Sequence, residues 1–159
     1  MPSPSPESQL AGFIAKYSPV IAKQTRAVLA ALRTRLPGAT ELVYDNYNAL
    51  AIGFGPTDRV GDIIFSVAAY PRWVSLFFMQ ARGLPDPTGL LQGSGTKARH
   101  IVLGDPADLD RPAVRALIRA ALATAIRPLD RDQPRRLVIK SISAKQRPRR
   151  PPATSGPKR

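Results

Sequence analysis

The sequence predicts an α+β fold: an antiparallel sheet of about five strands with helices packed on one face. Three observations carry that expectation. Helical periodicity is confined to the two flanks of the chain. Between them, β-forming runs follow one another with short links. Strands do not alternate with helices, which is the pattern of a layered α+β domain and not of a doubly wound one.

Leu10, Phe13, Ile14 and Tyr17 recur at helical spacing. Ser18-Pro19 then reads as a new start, with serine capping and proline at a position where its missing N–H is no loss. Val20, Ile21, Val28, Leu29, Leu32 and Leu36 continue the apolar stripe to Pro37-Gly38. A short helix, a bend and a longer helix are expected. "ELVYDNYNALAIGFG" is rich in β-formers, and Asp45-Asn46 marks a turn, so it reads as two short strands. "DIIFSVAAY" and "WVSLFFMQ" meet at Tyr70-Pro71-Arg72-Trp73, close enough for a hairpin. "GLPDPTGLLQGSG" reads as a loop and "ARHIVL" as another strand. "DPADLDRPAVRALIRAALATAIRP" is the clearest helix, with Asp108 or Asp110 as its cap and Pro128 as its stop. "RRLVIKSI" fits a last strand. The expected organisation is a Ser/Pro leader over 1–9, one domain over 10–143, and a basic, unfolded tail over 144–159.

The chain has 159 residues and a net charge of +13, unevenly spread. From Pro134 onward there are nine basic residues and no acidic one, and the other 133 residues carry only +4. The folded part is therefore only mildly basic. With no cysteine, thiolate nucleophiles, iron–sulfur clusters and cysteine zinc sites are excluded. No basic segment followed by an apolar core opens the chain, and Pro71-Arg72 interrupts its most apolar stretch, so a cytoplasmic, non-membrane protein is expected.

Four groups of residues invite a functional reading. Gly93, Gly95, Lys97 and Arg99 in "LLQGSGTKARHI" combine a glycine turn with two cations, the ingredients of an anion site. The spacing is not that of a P-loop, since no Ser or Thr follows the lysine and a strand comes next. Alternation puts the only histidine, His100, on the opposite strand face from Lys97 and Arg99. Tyr44, Asn46, Tyr47 and Trp73 each join an apolar body or a turn to a polar group and can line a pocket. Lys145, Arg147, Arg149, Arg150, Lys158 and Arg159 in the tail suit non-specific contact with a phosphate backbone. The carboxylates do not make a catalytic or metal set. Glu41 and Asp45 lie about 13 Å apart on an extended strand. Asp105, Asp108 and Asp110 lack the spacing of a calcium loop and fit turn and cap duty. No serine has a nucleophile-elbow context, so no catalytic constellation is visible.

"ELVYDNYNALAIGFGP", "YPRWVSLFF", "GLPDP", "LLQGSGTKARHIVL" and "KSISAKQRPRRP" occur in this order. Together they resemble the YdhG-like family, a domain of unknown function, over residues 10–151. The resemblance implies a small α+β domain similar to frataxin, and some relatives are described as frataxin-like intracellular iron chaperones. Iron binding of that kind uses an acidic ridge on the first helix and strand. Here residues 8–36 hold no carboxylate but carry Lys16, Lys23, Arg26, Arg33 and Arg35, so no metal ligands are assigned. The expectation is a non-enzymatic binding module for a small anionic ligand or a protein partner. The alternatives are accessory nucleic-acid binding through the tail, and iron handling by resemblance alone.

Overall fold

The structure, a computed structural model, describes residues 4–152. Helix α1 (Pro6–Ala15) and helix α2 (Pro19–Arg35) both begin on a Ser-Pro pair. The hydroxyls of Ser5 and Ser18 accept from the N–H groups of Ser8 and Ile21. The expected leader over 1–9 is thus shorter than its composition suggested, because Ser5-Pro6 repeats the start signal seen at Ser18-Pro19.

Strands β1 (Thr40–Asp45), β2 (Leu50–Gly55), β3 (Phe65–Ala69), β4 (Val74–Phe78) and β5 (Arg99–Leu103) pair in sequence as an antiparallel meander. After β5, Asp105 and Asp108 form a capping box around a 3₁₀ turn. Pro112 then opens helix α3 (Pro112–Ala123), whose N-cap, Arg111, supplies no side-chain cap. Asp110 pairs with Arg35 on α2 instead of capping.

The last strand corrects the expected architecture. β6 (Arg136–Ile142) adds to the free edge of β1 and runs parallel to it, giving six strands in the order β5-β4-β3-β2-β1-β6. The sheet is mixed, not purely antiparallel. The cause is the crossover: α3 returns the chain to the end of the sheet where β5 began, so β6 must point the same way as β5 and β1. A bulge at Val43/Tyr44 shifts the register by one residue and turns the end of β6 toward the β1–β2 turn.

Alternation sorts the strand residues into two faces. Val43, Leu50, Ile52, Phe54, Phe65, Val67, Leu76, Phe78, Ile101 and Leu103 form one continuous core with the buried faces of the three helices. Tyr17 ties α1 to this layer: its hydroxyl donates to the Ala69 carbonyl at 2.6 Å and accepts from the Leu50 N–H at 3.0 Å. The other face carries Tyr44, Ala51, Gly53, Ser66, Ala68, Ser75, Phe77 and His100, and no helix residue joins the core from that side. Ile63 folds over one end of it, so close to Gly53 that a Cβ there would meet Ile63 Cδ1 at 2.7 Å.

Candidate functional site

Two turns and the C-terminal segment meet at one end of the sheet. The β1–β2 turn spans residues 46–49, and the Asn46 N–H donates to the Ala49 carbonyl. The β3–β4 turn spans Tyr70 to Trp73 and closes with the Tyr70 N–H on the Trp73 carbonyl at 2.9 Å. Tyr70 and Trp73 directly flank this two-residue turn, so alternation puts both rings on the open face, where they stack at 4.9 Å between centroids. Trp73 is 43 % exposed and Tyr47 is 49 % exposed. Burial pushes the Tyr70 hydroxyl's pKa up.

Residues 143–152, the described part of the segment after β6, do not leave the domain as an unfolded tail. The Ser143 N–H donates to the Asp45 carbonyl and the Arg147 N–H to the Tyr47 carbonyl, at 2.9 and 2.8 Å. Arg149 is 5 % exposed and pairs with Asp45, itself 0 % exposed, at 2.9 Å. Its guanidinium also donates to the carbonyls of Asn46 and Tyr47 and lies over the Tyr17 ring. Lys16 reaches Asp45 from α1 at 2.8 Å and also donates to the Gln146 side chain. Burial alone would raise the Asp45 pKa, but hydrogen bonds from Lys16, Gln146 and Arg149 outweigh it and hold the carboxyl below its ordinary value. Arg149 therefore acts as a clasp. Lys158 and Arg159 lie outside the described residues.

With Arg149 turned inward, Arg147 and Arg150 face a cleft of about 740 Å³ that they share with Asn48, Tyr70, Arg72 and Trp73. The Arg147 guanidinium sits 5.8 Å from the centre of the Tyr47 ring. The Arg150 Nε donates to the Lys16 carbonyl, which steers the side chain. A second cleft, about 530 Å³, continues from Asn48 and Tyr70 along the open face to Phe77 and Met79, over a floor of Ala51, Ser66 and Ala68. Asn46 and Tyr47 stand at its edge. Of the residues expected to line a pocket, Asn46, Tyr47 and Trp73 come together here. Tyr44 is on the same face but packed: its hydroxyl is buried without a partner, and burial raises its pKa.

The glycine-rich stretch is elsewhere. Gln92 and His100 bridge across it, making a loop that folds back on the start of β5, at the opposite end of β4 from Trp73. Gly93 has φ +105°, and a Cβ on Gly95 would come within 2.6 Å of the Ala98 carbonyl, so both glycines serve the turn. The Arg99 Nε donates to the Gly95 carbonyl. Lys97 and Arg99 face different clefts, Lys97 one with Ile63 and Ile126, and Arg99 one with Asp86 and Leu91. They do not converge on one ligand. His100 lies against Phe77 with ring centroids 4.9 Å apart.

Glu41 is the other buried carboxylate among the described residues. Glu41, 1 % exposed, receives Arg33 from α2 and Arg135 from the start of β6. The hydrogen bonds of Arg135 to Glu41, and then to Glu7, raise its pKa further. Among the described residues no group of three or more His, Asp or Glu side chains is placed to hold a metal ion. No described helix is long and apolar enough to cross a membrane.

Sequence reasoning missed Asn48, Tyr70, Arg72 and Phe77. The signal was present in the alternation of small residues, Ala51-x-Gly53 and Ser66-x-Ala68, which marks a sheet face left low enough for something to lie on it. These features define an α+β protein with a one-sided mixed sheet, whose open face carries exposed aromatic rings and an arginine-lined end. No protein-family model, no curated protein and no solved structure matches the chain.

Proposed function

We propose that this protein is a small, non-enzymatic binding module of the YdhG-like type, and that its ligand is an anion carrying a flat ring. The observation that carries this reading is the stacked Tyr70–Trp73 pair in one cleft with Arg72, Arg147 and Arg150. Aromatic faces take a planar ring, and guanidinium groups take a phosphate or carboxylate in bidentate fashion. A nucleoside monophosphate combines both. Of the expected ligand residues, the proposed site keeps Trp73, with Asn46 and Tyr47 at the edge of the adjoining cleft, and drops the glycine loop with Lys97 and Arg99. The iron-chaperone alternative has no ligand set among the described residues to build on.

Trp73 is the only tryptophan in the chain, so its fluorescence reports on this cleft alone. Titration with adenosine monophosphate is expected to quench or shift it. Inorganic phosphate and adenosine, each with half the recognition chemistry, bind more weakly. Arg147→Ala with Arg150→Ala lowers affinity about tenfold or more, as expected for charge-assisted hydrogen bonds of about 1.5–3 kcal/mol. Lys97→Ala with Arg99→Ala changes nothing. A fluorescence signal indifferent to all three compounds, or equal affinity in the Arg147/Arg150 variant, would falsify the reading.

A further inference from the structure

The open face carries two ring pairs, not one. Tyr70–Trp73 stack at the arginine-lined end, and Phe77 and His100 lie against each other farther along the same face with their planes tilted by 33°, each pair at 4.9 Å between centroids. Trp73, Ser75 and Phe77 are alternate residues of one strand direction, so the two platforms are about 13 Å apart along the backbone. Between them the floor is Ala51, Ser66 and Ala68, with Tyr70 and Phe77 lining one cleft over it. That cleft runs into the arginine-lined one through Asn48 and Tyr70, which border both. A mononucleotide at Trp73 would leave Phe77 and the half-buried Ala51 and Ser66 uncovered.

We infer that the open sheet face binds single-stranded nucleic acid, with one base on Tyr70–Trp73, another on Phe77–His100, and the backbone anchored by Arg72, Arg147 and Arg150. This rests on the reading of the Trp73 cleft as an anion site and extends it to a polymer. An open sheet face with separated aromatic platforms is how unpaired bases are held, because every base offers a ring face once it is unstacked. A duplex hides those faces and is too wide for a floor between ring pairs. The charge is complementary as well: the cleft's three arginines face a polyanion. The requirement for platforms distinguishes this from adhesion by a basic tail, which needs no rings.

The test is fluorescence anisotropy with the full chain and a labelled oligothymidylate of about eight nucleotides, within the range of single-strand site sizes. Its affinity is expected to exceed that of thymidine monophosphate, and to fall with salt on a log–log slope of about −2 for three neutralised phosphates. Phe77→Leu keeps the apolar bulk of the half-buried side chain but removes the ring. It is expected to weaken the oligonucleotide about fivefold or more, the low end of one lost stacking contact, while leaving the monophosphate unchanged. His100→Leu tests the same platform without touching the core. If both variants bind the oligonucleotide like the parent, or if a duplex of the same sequence binds equally well, the polymer proposal fails and the Trp73 cleft keeps its small ligand. If neither oligonucleotide nor monophosphate binds, both readings fail together.

Discussion

At the scale of single residues, Arg149 organises the site without facing it. In the sequence it is one cation in a proline-rich basic run, and nothing local marks it as the one that turns inward. Its partner Asp45 reads as a turn residue but ends β1 just before the turn, and nothing local reveals that its carboxylate is fully buried and pairs with two cations. Removing one member of a buried pair leaves the other uncompensated, typically at about 3–5 kcal/mol. Lys16 remains beside Asp45, so Arg149→Ala is expected at the low end, about 3 kcal/mol. Thermal denaturation should show a fall in Tm of roughly 6–12 °C. Lysine at 149 restores part of it, having charge but not the fork that reaches the Asn46 and Tyr47 carbonyls.

The same carboxylate sets an acid dependence. The Asp45 pKa is lowered from 3.8, so the folded state prefers the ionised form more than the unfolded chain does. Its contribution to stability is therefore complete above the ordinary carboxylate pKa and is lost as the pH falls through the folded value. Urea denaturation of the parent and of Asp45→Asn, compared from neutral pH down into the acid range, should show a stability gap that is constant near neutrality and narrows below about pH 4. A gap that widens on acidification would mean that Asp45 does not hold the clasp through its charge.

At the scale of elements, the helices and the first five strands were legible because each has its own signal. Ser-Pro starts α2, apolar periodicity runs through α2 and α3, and short turns link β1 to β2 and β3 to β4. The direction of β6 was not legible. "RRLVIKSI" reads as a strand, but its parallel pairing depends on which end of the sheet α3 returns to, a fact of topology that no local pattern contains. The glycine loop shows the converse. Its residues look like an anion cradle, yet Gly93 and Gly95 answer to backbone geometry. Gly93→Ala forces a side chain into φ +105° and is expected to cost about 1–3 kcal/mol, measurable by chemical denaturation. Nucleotide affinity at Trp73 should stay as it was, since the loop lies at the far end of β4.

At the scale of the whole molecule, the boundary between domain and tail falls later than charge and proline content place it. Composition marks everything after Ala144 as extended or disordered. For residues 145–152 disorder does not follow, because one buried ion pair, the Arg147 N–H on the Tyr47 carbonyl and the Arg149 guanidinium on the Asn46 and Tyr47 carbonyls hold the segment against the sheet end. The arginines that remain outward, Arg147 and Arg150, then belong to a cleft and not to a diffuse cloud of charge. Truncation after Ala144 separates these views. If the segment were a free polyelectrolyte, its loss would leave Tm unchanged and remove only a weak, salt-sensitive affinity. Held as it is here, its loss strips Asp45 of Arg149 and Gln146, opens the Tyr47 side of the cleft and takes away two of its three arginines. The truncated chain is expected to melt roughly 6–12 °C lower, like Arg149→Ala, since both lose the same buried pair. It should also lose the Trp73 fluorescence response to adenosine monophosphate. Adding residues 145–152 back as a separate peptide should restore little of either, because a short segment that is no longer tethered forfeits its high effective concentration.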